Sequence, residues 1–479
     1  MNHSSPPNTP LLDLCLEVLE AGFNSFFDVL DALIGKKSHD LNARFVDPGA
    51  VLSRRNRGFR LTGKKSLSIK DSFTGAMIVG GTGSGKSSVT LIPSLLSMEG
   101  SLVVHDPSGE LHTATAGALA ERGYLIKTLN LADARHSIGY NPLERARTTS
   151  DIGKVADTLV RASLGTSSSN PFWDLQARKL ISVLIQITRT LDANHQNLAN
   201  VKHLLHQMSA DPKKVDRLFA QNAGDELLSE YKAFIANDPK VAQSVQATAE
   251  AALLLWSDPD VCRVTSYDTL NLESFRTRKV ALFLQNRVAD IHYYAPLSSL
   301  FFDQMFAEFM RELPRPDHEP VFFLLDECAS LHIPSLPIVL ANVRKHRAGA
   351  CLVLQDEAQL AQKYGPNDAH SIKSNCISKL YMSGQGLQTA RELEQILGRY
   401  TYKDAKDLDR TRQLMTADEI RTMERDEAIF LFGNRRPSRV RLTPYYKQRK
   451  LEKLTRLPAP STRAAFYMAG LDLVDLNSL

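Results

Sequence analysis

The chain has 479 residues, 43% of them hydrophobic, enough to bury a large core and to form more than one domain. Lys and Arg number 58 against 53 Asp and Glu, and a net charge of +5 is too weak to demand a nucleic-acid partner by itself. Five cysteines (Cys15, Cys262, Cys328, Cys351, Cys376) form no C-x-x-C pair and thirteen histidines no H-E-x-x-H cluster, so neither a disulfide framework nor a zinc centre has support. The cysteines read as reduced packing residues of a cytosolic protein.

In chain order, residues 1–10 are polar, carry prolines and are predicted to be disordered. Residues 11–37 form an amphipathic segment. From Leu11 to Gly35 the polar residues Asp13, Glu17, Glu20, Asn24, Asp28 and Asp31 recur at three- and four-residue steps, one stripe of a helix and too many for a membrane span. An interfacial membrane helix carries Lys or Arg on that stripe. This stripe is acidic, so the expected use is docking on protein, and no basic segment precedes it as a secretory signal requires. Arg54, Arg55, Arg57, Arg60, Lys64, Lys65 and Lys70 then surround short apolar runs that read as a β-hairpin-like lead-in; these charges suit DNA, anionic lipid or plain solvent.

Ala76-Met77-Ile78-Val79 reads as a buried strand that feeds Gly80-Gly81-Thr82-Gly83-Ser84-Gly85-Lys86-Ser87-Ser88, a G-x-x-x-x-G-K-[ST] phosphate loop, and a helical pattern follows to about Pro93. Glycines let successive N–H groups point at phosphate oxygens, and the helix start adds partial positive charge. Lys86 would reach the β- and γ-phosphates, and the Ser87 hydroxyl would ligate Mg²⁺. Further strands at 101–105 and 124–129, with a helix between them, imply parallel β-α units that hold ligands at the strand C-termini. Residues 43–150 thus make the first part of a nucleotide-binding domain.

From 151 to 268 the apolar spacing turns helical, as in Ala177, Leu180, Ile181 and Leu184, and strand signals are sparse: an all-α insertion. Strands resume at 280–284, a long helix is expected from Pro296 to Leu313, and the second part of the nucleotide domain runs over 269–446. Val321-Phe322-Phe323-Leu324-Leu325 suits a central parallel strand and ends in Asp326-Glu327, a Walker B arrangement. Asp326 would hold Mg²⁺ through water, and Glu327 would polarise the attacking water. A helix through Val343 and a strand at 350–354 lead to Gln355. The 447–479 extension is basic, then weakly apolar, and suggests no role.

The chain resembles the VirD4/TraG family of type IV secretion coupling proteins, within the FtsK/HerA class of ring-forming motors. Ala43-Arg44-Phe45 and Arg57 to Gly63 resemble the family's lead-in, Ile92-Pro93-Ser94-Leu95-Leu96 its proline-containing helix end, and Asp106-Pro107-Ser108-Gly109-Glu110 its D-P-K-G-E. Tyr140-Asn141-Pro142-Leu143, then Phe172-Trp173-Asp174 with Ala177-Arg178, resemble its N-P-L and the start of its all-α domain. Gln355, Gln359-Leu360, Tyr364-Gly365, Leu414 to Ile420 and Tyr445-Tyr446 complete the order.

The resemblance implies an α/β, RecA-like P-loop NTPase fold with a parallel sheet flanked by helices and an inserted all-α domain for cargo recognition. It implies ATP and Mg²⁺ as cofactors and a homo-oligomeric ring, a hexamer. The cargo would be a relaxase–DNA complex or secreted protein, with single-stranded DNA a further candidate, delivered to type IV secretion channel components. It also implies that Gln355, at the end of a strand adjacent to the Walker B strand, senses the γ-phosphate or places the water, and that Arg344 is an arginine finger, with Arg347 in reserve. Ser108 departs from the family's lysine and Asp356 from its serine. Family members also begin with two membrane-spanning helices, which this sequence lacks. Placement at the cytoplasmic face of the bacterial inner membrane is therefore expected through a partner protein that receives the Leu11–Gly35 helix. Two alternatives stay open: a secretion-independent FtsK/HerA-like DNA translocase, and an ATP-gated docking platform with little turnover.

Overall fold

A computed structural model describes residues 42–164, 171–460 and 471–477; the expected disordered start and the Leu11–Gly35 helix lie outside the described residues. Contacts divide the chain into a large unit, Phe45–Ile396 with Met415–Leu479, and a small one, Met1–Arg44 with Leu397–Leu414.

The strands are β1 (Ala76–Val79), β2 (Ser101–His105), β3 (Leu125–Asn130), β4 (Val280–Gln285), β5 (Val321–Leu325), β6 (Ala348–Leu354), β7 (Ser378–Met382), β8 (Arg399–Lys403), β9 (Asp409–Gln413), β10 (Glu427–Phe432) and β11 (Ser438–Arg441). In the large unit they form one nine-stranded sheet in the order β11-β10-β7-β1-β6-β5-β2-β4-β3. Every neighbouring pair from β7 to β3 is parallel, and β10 and β11 add antiparallel. Residues of β1, β2, β5 and β6 are buried throughout. That burial explains their predominantly apolar sequences, because helices and loops cover both faces of a parallel sheet. At the edge, β11 alternates buried and exposed residues instead.

Between Arg44 and Lys70 the lead-in is hairpin-like without regular strands: antiparallel bridges join Ser53 and Arg60 to Ser66, and Gly58 N, Leu61 N and Leu67 N donate to Leu67 O, Lys65 O and Phe59 O. The apolar side chains of residues 51–73 close one face of the sheet, with Phe59 edge-on to Phe322 at 5.5 Å and Phe73 stacked on it at 5.7 Å. Helix α1 (Glu110–Glu121) follows β2. Among the described residues seven α-helices then occupy the insertion: α2 (Thr149–Leu164), α3 (Pro171–Thr188), α4 (Leu198–Ala210), α5 (Pro212–Asn222), α6 (Asp225–Ile235), α7 (Pro239–Ala252) and α8 (Pro259–Ser266). Helix α9 (Ile291–Arg311) carries Pro296 inside it and covers the sheet's other face, where Phe306 lies 4.1 Å from Phe323.

The neck of the insertion is clasped by charge. Arg145 donates from both terminal nitrogens to Asp268 and also to Leu270 O at 3.0 Å. Its guanidinium lies 5.3 Å from the Tyr140 ring, and Tyr140 OH bonds Gln304 Oε1 at 2.5 Å. The far end of the chain returns to the insertion, where buried Asn200 donates to Asp472 O and accepts from Val474 N. Among the described residues no helix is long and apolar enough to cross a membrane.

Candidate nucleotide-binding site

Four elements bring the site together at the C-terminal edge of β1, β6, β5 and β2. After β1 the loop needs glycine for two separate reasons. Gly83 and Gly85 sit at φ 77° and 91°, left-handed conformations that cost other residues energy. Gly80 and Gly81 have no room for a side chain: a Cβ would lie 2.6 Å from Ser84 Oγ and 2.8 Å from Gly384 O, respectively. Thr82 is exposed, and Ser87 and Ser88 are half-buried, with Ser88 Oγ donating to Gly85 O at 3.3 Å. The segment Lys86–Leu91 opens the following helix as a π-type turn.

Lys86 Nζ folds onto its own loop, donating to Gly80 O at 2.6 Å and Gly81 O at 3.2 Å. Burial holds its pKa down, while Glu327 and Asp326 pull it back up. Asp326, at the end of β5, has its carboxyl pushed up to about 7 by burial and then by Asp106 and Glu327. Asp326 thus feels Lys86, Asp106 and Glu327 at this edge, and its carboxylate with the Ser87 hydroxyl offers oxygen ligands of the kind a hard divalent cation favours. Among the described residues no three His, Cys, Asp or Glu side chains form a ready metal cluster. A bound ion would complete its shell from phosphate and water.

Glu327 adopts φ 49°, the left-handed region, and its carbonyl accepts from Ser330 N and Oγ at 2.9 and 2.8 Å. Gln355, at the end of β6, donates from Nε2 to Glu327 Oε2 at 2.8 Å. β6 lies between β1 and β5, so the two residues meet above neighbouring strands. Gln359 Oε1 accepts from Gln355 N at 3.2 Å and fixes that strand exit.

Several residues here carry no sequence motif beyond the resemblance. His105, fully buried, has its pKa held down at about 4 by desolvation. Its neutral ring donates from Nδ1 to Asp326 O at 2.5 Å, since a carbonyl can only accept. Asp106 caps α1 by accepting from Leu111 N and His112 N at 3.1 and 2.7 Å, and burial pushes its pKa up to about 6. Gln385 donates to Val79 O at 2.9 Å and Met382 O at 2.6 Å, tying the exits of β1 and β7 together. Asp356 turns back to accept from Ala358 N and Thr389 Oγ1. Buried Glu357 is held by Tyr381 OH at 2.6 Å and Lys373 Nζ at 2.8 Å.

Arg344 is not part of this gathering. It is exposed, in the turn Val343–His346 ahead of β6. The seven-residue strand β6, about 23 Å long, separates it from Gln355 at the strand's other end. Arg347 is committed elsewhere, donating to Arg315 O at 3.0 Å and Pro316 O at 2.6 Å.

A parallel sheet with a glycine loop after one strand and an acidic pair two strands away defines a RecA-like P-loop NTPase fold. The chain belongs to the family described as Type IV secretory system Conjugative DNA transfer, which it matches over residues 36–465, and within it to the VirD4/TraG coupling proteins. VirD4 of Rhizobium radiobacter is 24% identical over 410 residues, 79% of this chain and 58% of VirD4. TraG of Escherichia coli is 26% identical over 347 residues, 67% of this chain and 54% of TraG. The chain thus spans under two thirds of the length of these relatives. Plasmid coupling protein TrwB, solved in complex with ADP and Mg²⁺, shares the fold at a TM-score of 0.67 and 19% identity, over 84% of this chain and 94% of that one. TrwB has also been solved with non-hydrolysable analogues of ATP and GTP.

Proposed function

We propose that this chain binds Mg²⁺–ATP at the Gly80–Ser88 loop and hydrolyses it to drive DNA or protein cargo toward a type IV secretion channel. The observation that carries this reading is the meeting of Lys86, Asp326, Glu327 and Gln355 at one sheet edge, with Gln355 Nε2 2.8 Å from Glu327 Oε2. The loop's N–H groups and Lys86 hold the phosphates. Ser87, and Asp326 through water, hold the cation, which when bound neutralises charge on the phosphate oxygens. Glu327 polarises the attacking water, and Gln355 keeps that carboxylate aimed. A strained glutamate held by a side-chain amide speaks for turnover rather than for passive docking, because binding alone needs no such residue.

Arg344 acts in this reading on the nucleotide of a neighbouring copy, since the length of β6, about 23 Å, separates it from Gln355 of its own chain. Ile338, 67% exposed on the same short helix–turn segment, supports a surface that a second copy covers. The ring is proposed as a hexamer, the helical insertion as the cargo reader, and the inner membrane's cytoplasmic face as the place of action through a partner protein. The test is a pair of variants. Lys86→Ala should lose nucleotide binding. Glu327→Gln should keep it and lose roughly 10²- to 10⁴-fold in turnover; unchanged turnover in Glu327→Gln would sink the assignment.

A further inference from the structure

The small unit holds β8 and β9 as an antiparallel two-stranded sheet in which Tyr400 faces Arg412 and Tyr402 faces Arg410. Residues two apart on a strand, and residues directly opposite across a pair, share a face. One face of the hairpin therefore presents two tyrosines and two arginines. The tyrosine rings lie 5.8 Å apart at 40°, and Tyr402 leaves 43% of its surface open.

The hairpin is held in shape from both ends. At its tip Asp404 Oδ1 accepts from Lys406 N at 2.8 Å and Leu408 N at 3.0 Å, while Asp404 Oδ2 takes Arg410 Nε at 3.0 Å. One carboxylate thus fixes both the turn and the arginine opposite Tyr402. At the base, Ala43 N donates to Arg399 O, and Asn42 Oδ1 accepts from Thr401 N.

The open Tyr402 ring beside the half-buried Tyr400 ring, with guanidinium groups opposite them, fits successive unpaired bases and their phosphates. Duplex DNA keeps its base faces stacked away from such rings. We propose that the β8–β9 hairpin grips single-stranded nucleic acid, with bases on Tyr400 and Tyr402 and phosphates on Arg410 and Arg412. The grip rests on the cargo reading above and narrows it to an unpaired strand.

The full chain is titrated with fluorescein-labelled oligo(dT) by anisotropy, and ATP turnover is measured on the same preparations. Tyr400→Ala with Tyr402→Ala should weaken binding roughly tenfold or more, whereas the double Phe variant should stay within about threefold, because stacking survives. Arg410→Gln with Arg412→Gln should flatten the slope of log K against log salt by about 1.4. Photocrosslinking of an iodouridine-substituted oligonucleotide to the unaltered chain should land on Tyr400 or Tyr402, a readout independent of how any variant folds. Full affinity in the alanine pair, crosslinks elsewhere, or a preference for blunt duplex would overturn the grip. A chain that turns over ATP yet ignores oligo(dT) removes the grip and leaves the motor reading standing. One that binds oligo(dT) through the tyrosines without turning over ATP does the reverse.

Discussion

The two ends of β5 and β6 place similar irregularities to opposite uses. Beyond the C-terminal end of β5, Glu327 sits at φ 49°; just before the N-terminal end of β6, Arg347 sits at φ 47°. Each is a non-glycine residue in a left-handed conformation, which costs about 1–3 kcal/mol and must be held by its surroundings. Arg347 turns its guanidinium onto the carbonyls of Arg315 and Pro316, and nearby Arg276 ties down His346 O at 2.8 Å and Glu319 O at 3.1 Å. Burial and then Arg347 hold the Arg276 pKa down at about 10. Glu327 instead presents its carboxylate to the amide of another side chain, Gln355. Strain alone does not mark a site. At Arg347 the side chain is spent on backbone carbonyls; at Glu327 it is held by another side chain, and in the proposed reading that end carries the chemistry.

The largest effect is expected from Arg344, the arginine at the architectural end whose side chain is exposed. As a finger acting on a neighbour, its removal should lower turnover roughly 10³-fold or more while nucleotide binding persists. Turnover should then rise faster than linearly with protein concentration as rings assemble. Mixing Arg344→Ala chains with Lys86→Ala chains should restore part of it, since an intact loop can face an intact finger. A nearly active Arg344→Ala variant, with assembly verified by native mass, would return Arg344 to the ordinary surface and leave the contrast between the two ends complete.

A smaller effect is expected at the chemical end. Gln355→Ala removes the bond that aims Glu327 and should lower kcat roughly 10- to 100-fold with little change in KM, the low range for a positioned acid–base group. Gln355→Glu sets a second carboxylate against Glu327 and should be worse. If Gln355→Ala instead raised KM alone, Gln355 would be a phosphate contact and Glu327 would be held by its backbone.

Most of the residues that meet at the proposed site could be picked out from sequence because the demands of such a site are local. A phosphate loop needs glycines and a lysine at fixed spacing, and a central parallel strand needs an apolar run ending in acid, so Lys86, Asp326 and Glu327 could be named from their neighbours in sequence. Gln355 needed the family resemblance, because a glutamine after a strand has no signature of its own. The meeting of Gln355 with Glu327 depends on β6 lying between β1 and β5, a strand order that no local pattern encodes. The same limit hid His105 and Gln385, whose partners Asp326 and Val79 lie far away in the chain. The lead-in was legible only in part. Short apolar runs between basic residues suit the antiparallel bridges that form there, but nothing local shows that Phe59, Phe73 and their neighbours serve as a lid on the sheet.

The smallest effect, and the one that sharpens the contrast most, concerns Arg347. Its two bonds to the carbonyls of Arg315 and Pro316 are partly exposed, so losing them in Arg347→Ala should cost about 1–2 kcal/mol of stability. Alanine keeps the left-handed strain that arginine bears at this position. Arg347→Gly loses the same bonds but relieves that strain; glycine's greater freedom in the unfolded chain offsets part of the relief, so the net gain over alanine is up to about 1 kcal/mol and glycine should fall between alanine and the unaltered chain. Urea midpoints at unchanged m-value should therefore rank arginine above glycine above alanine, while turnover per assembled ring stays the same in all three. Arg344→Ala should show the mirror image, lost turnover at an unshifted midpoint. If Arg347→Ala lost turnover as Arg344→Ala does, its carbonyl bonds would be a resting pose of a moving finger, and the architectural end of β6 would have a share in the chemistry.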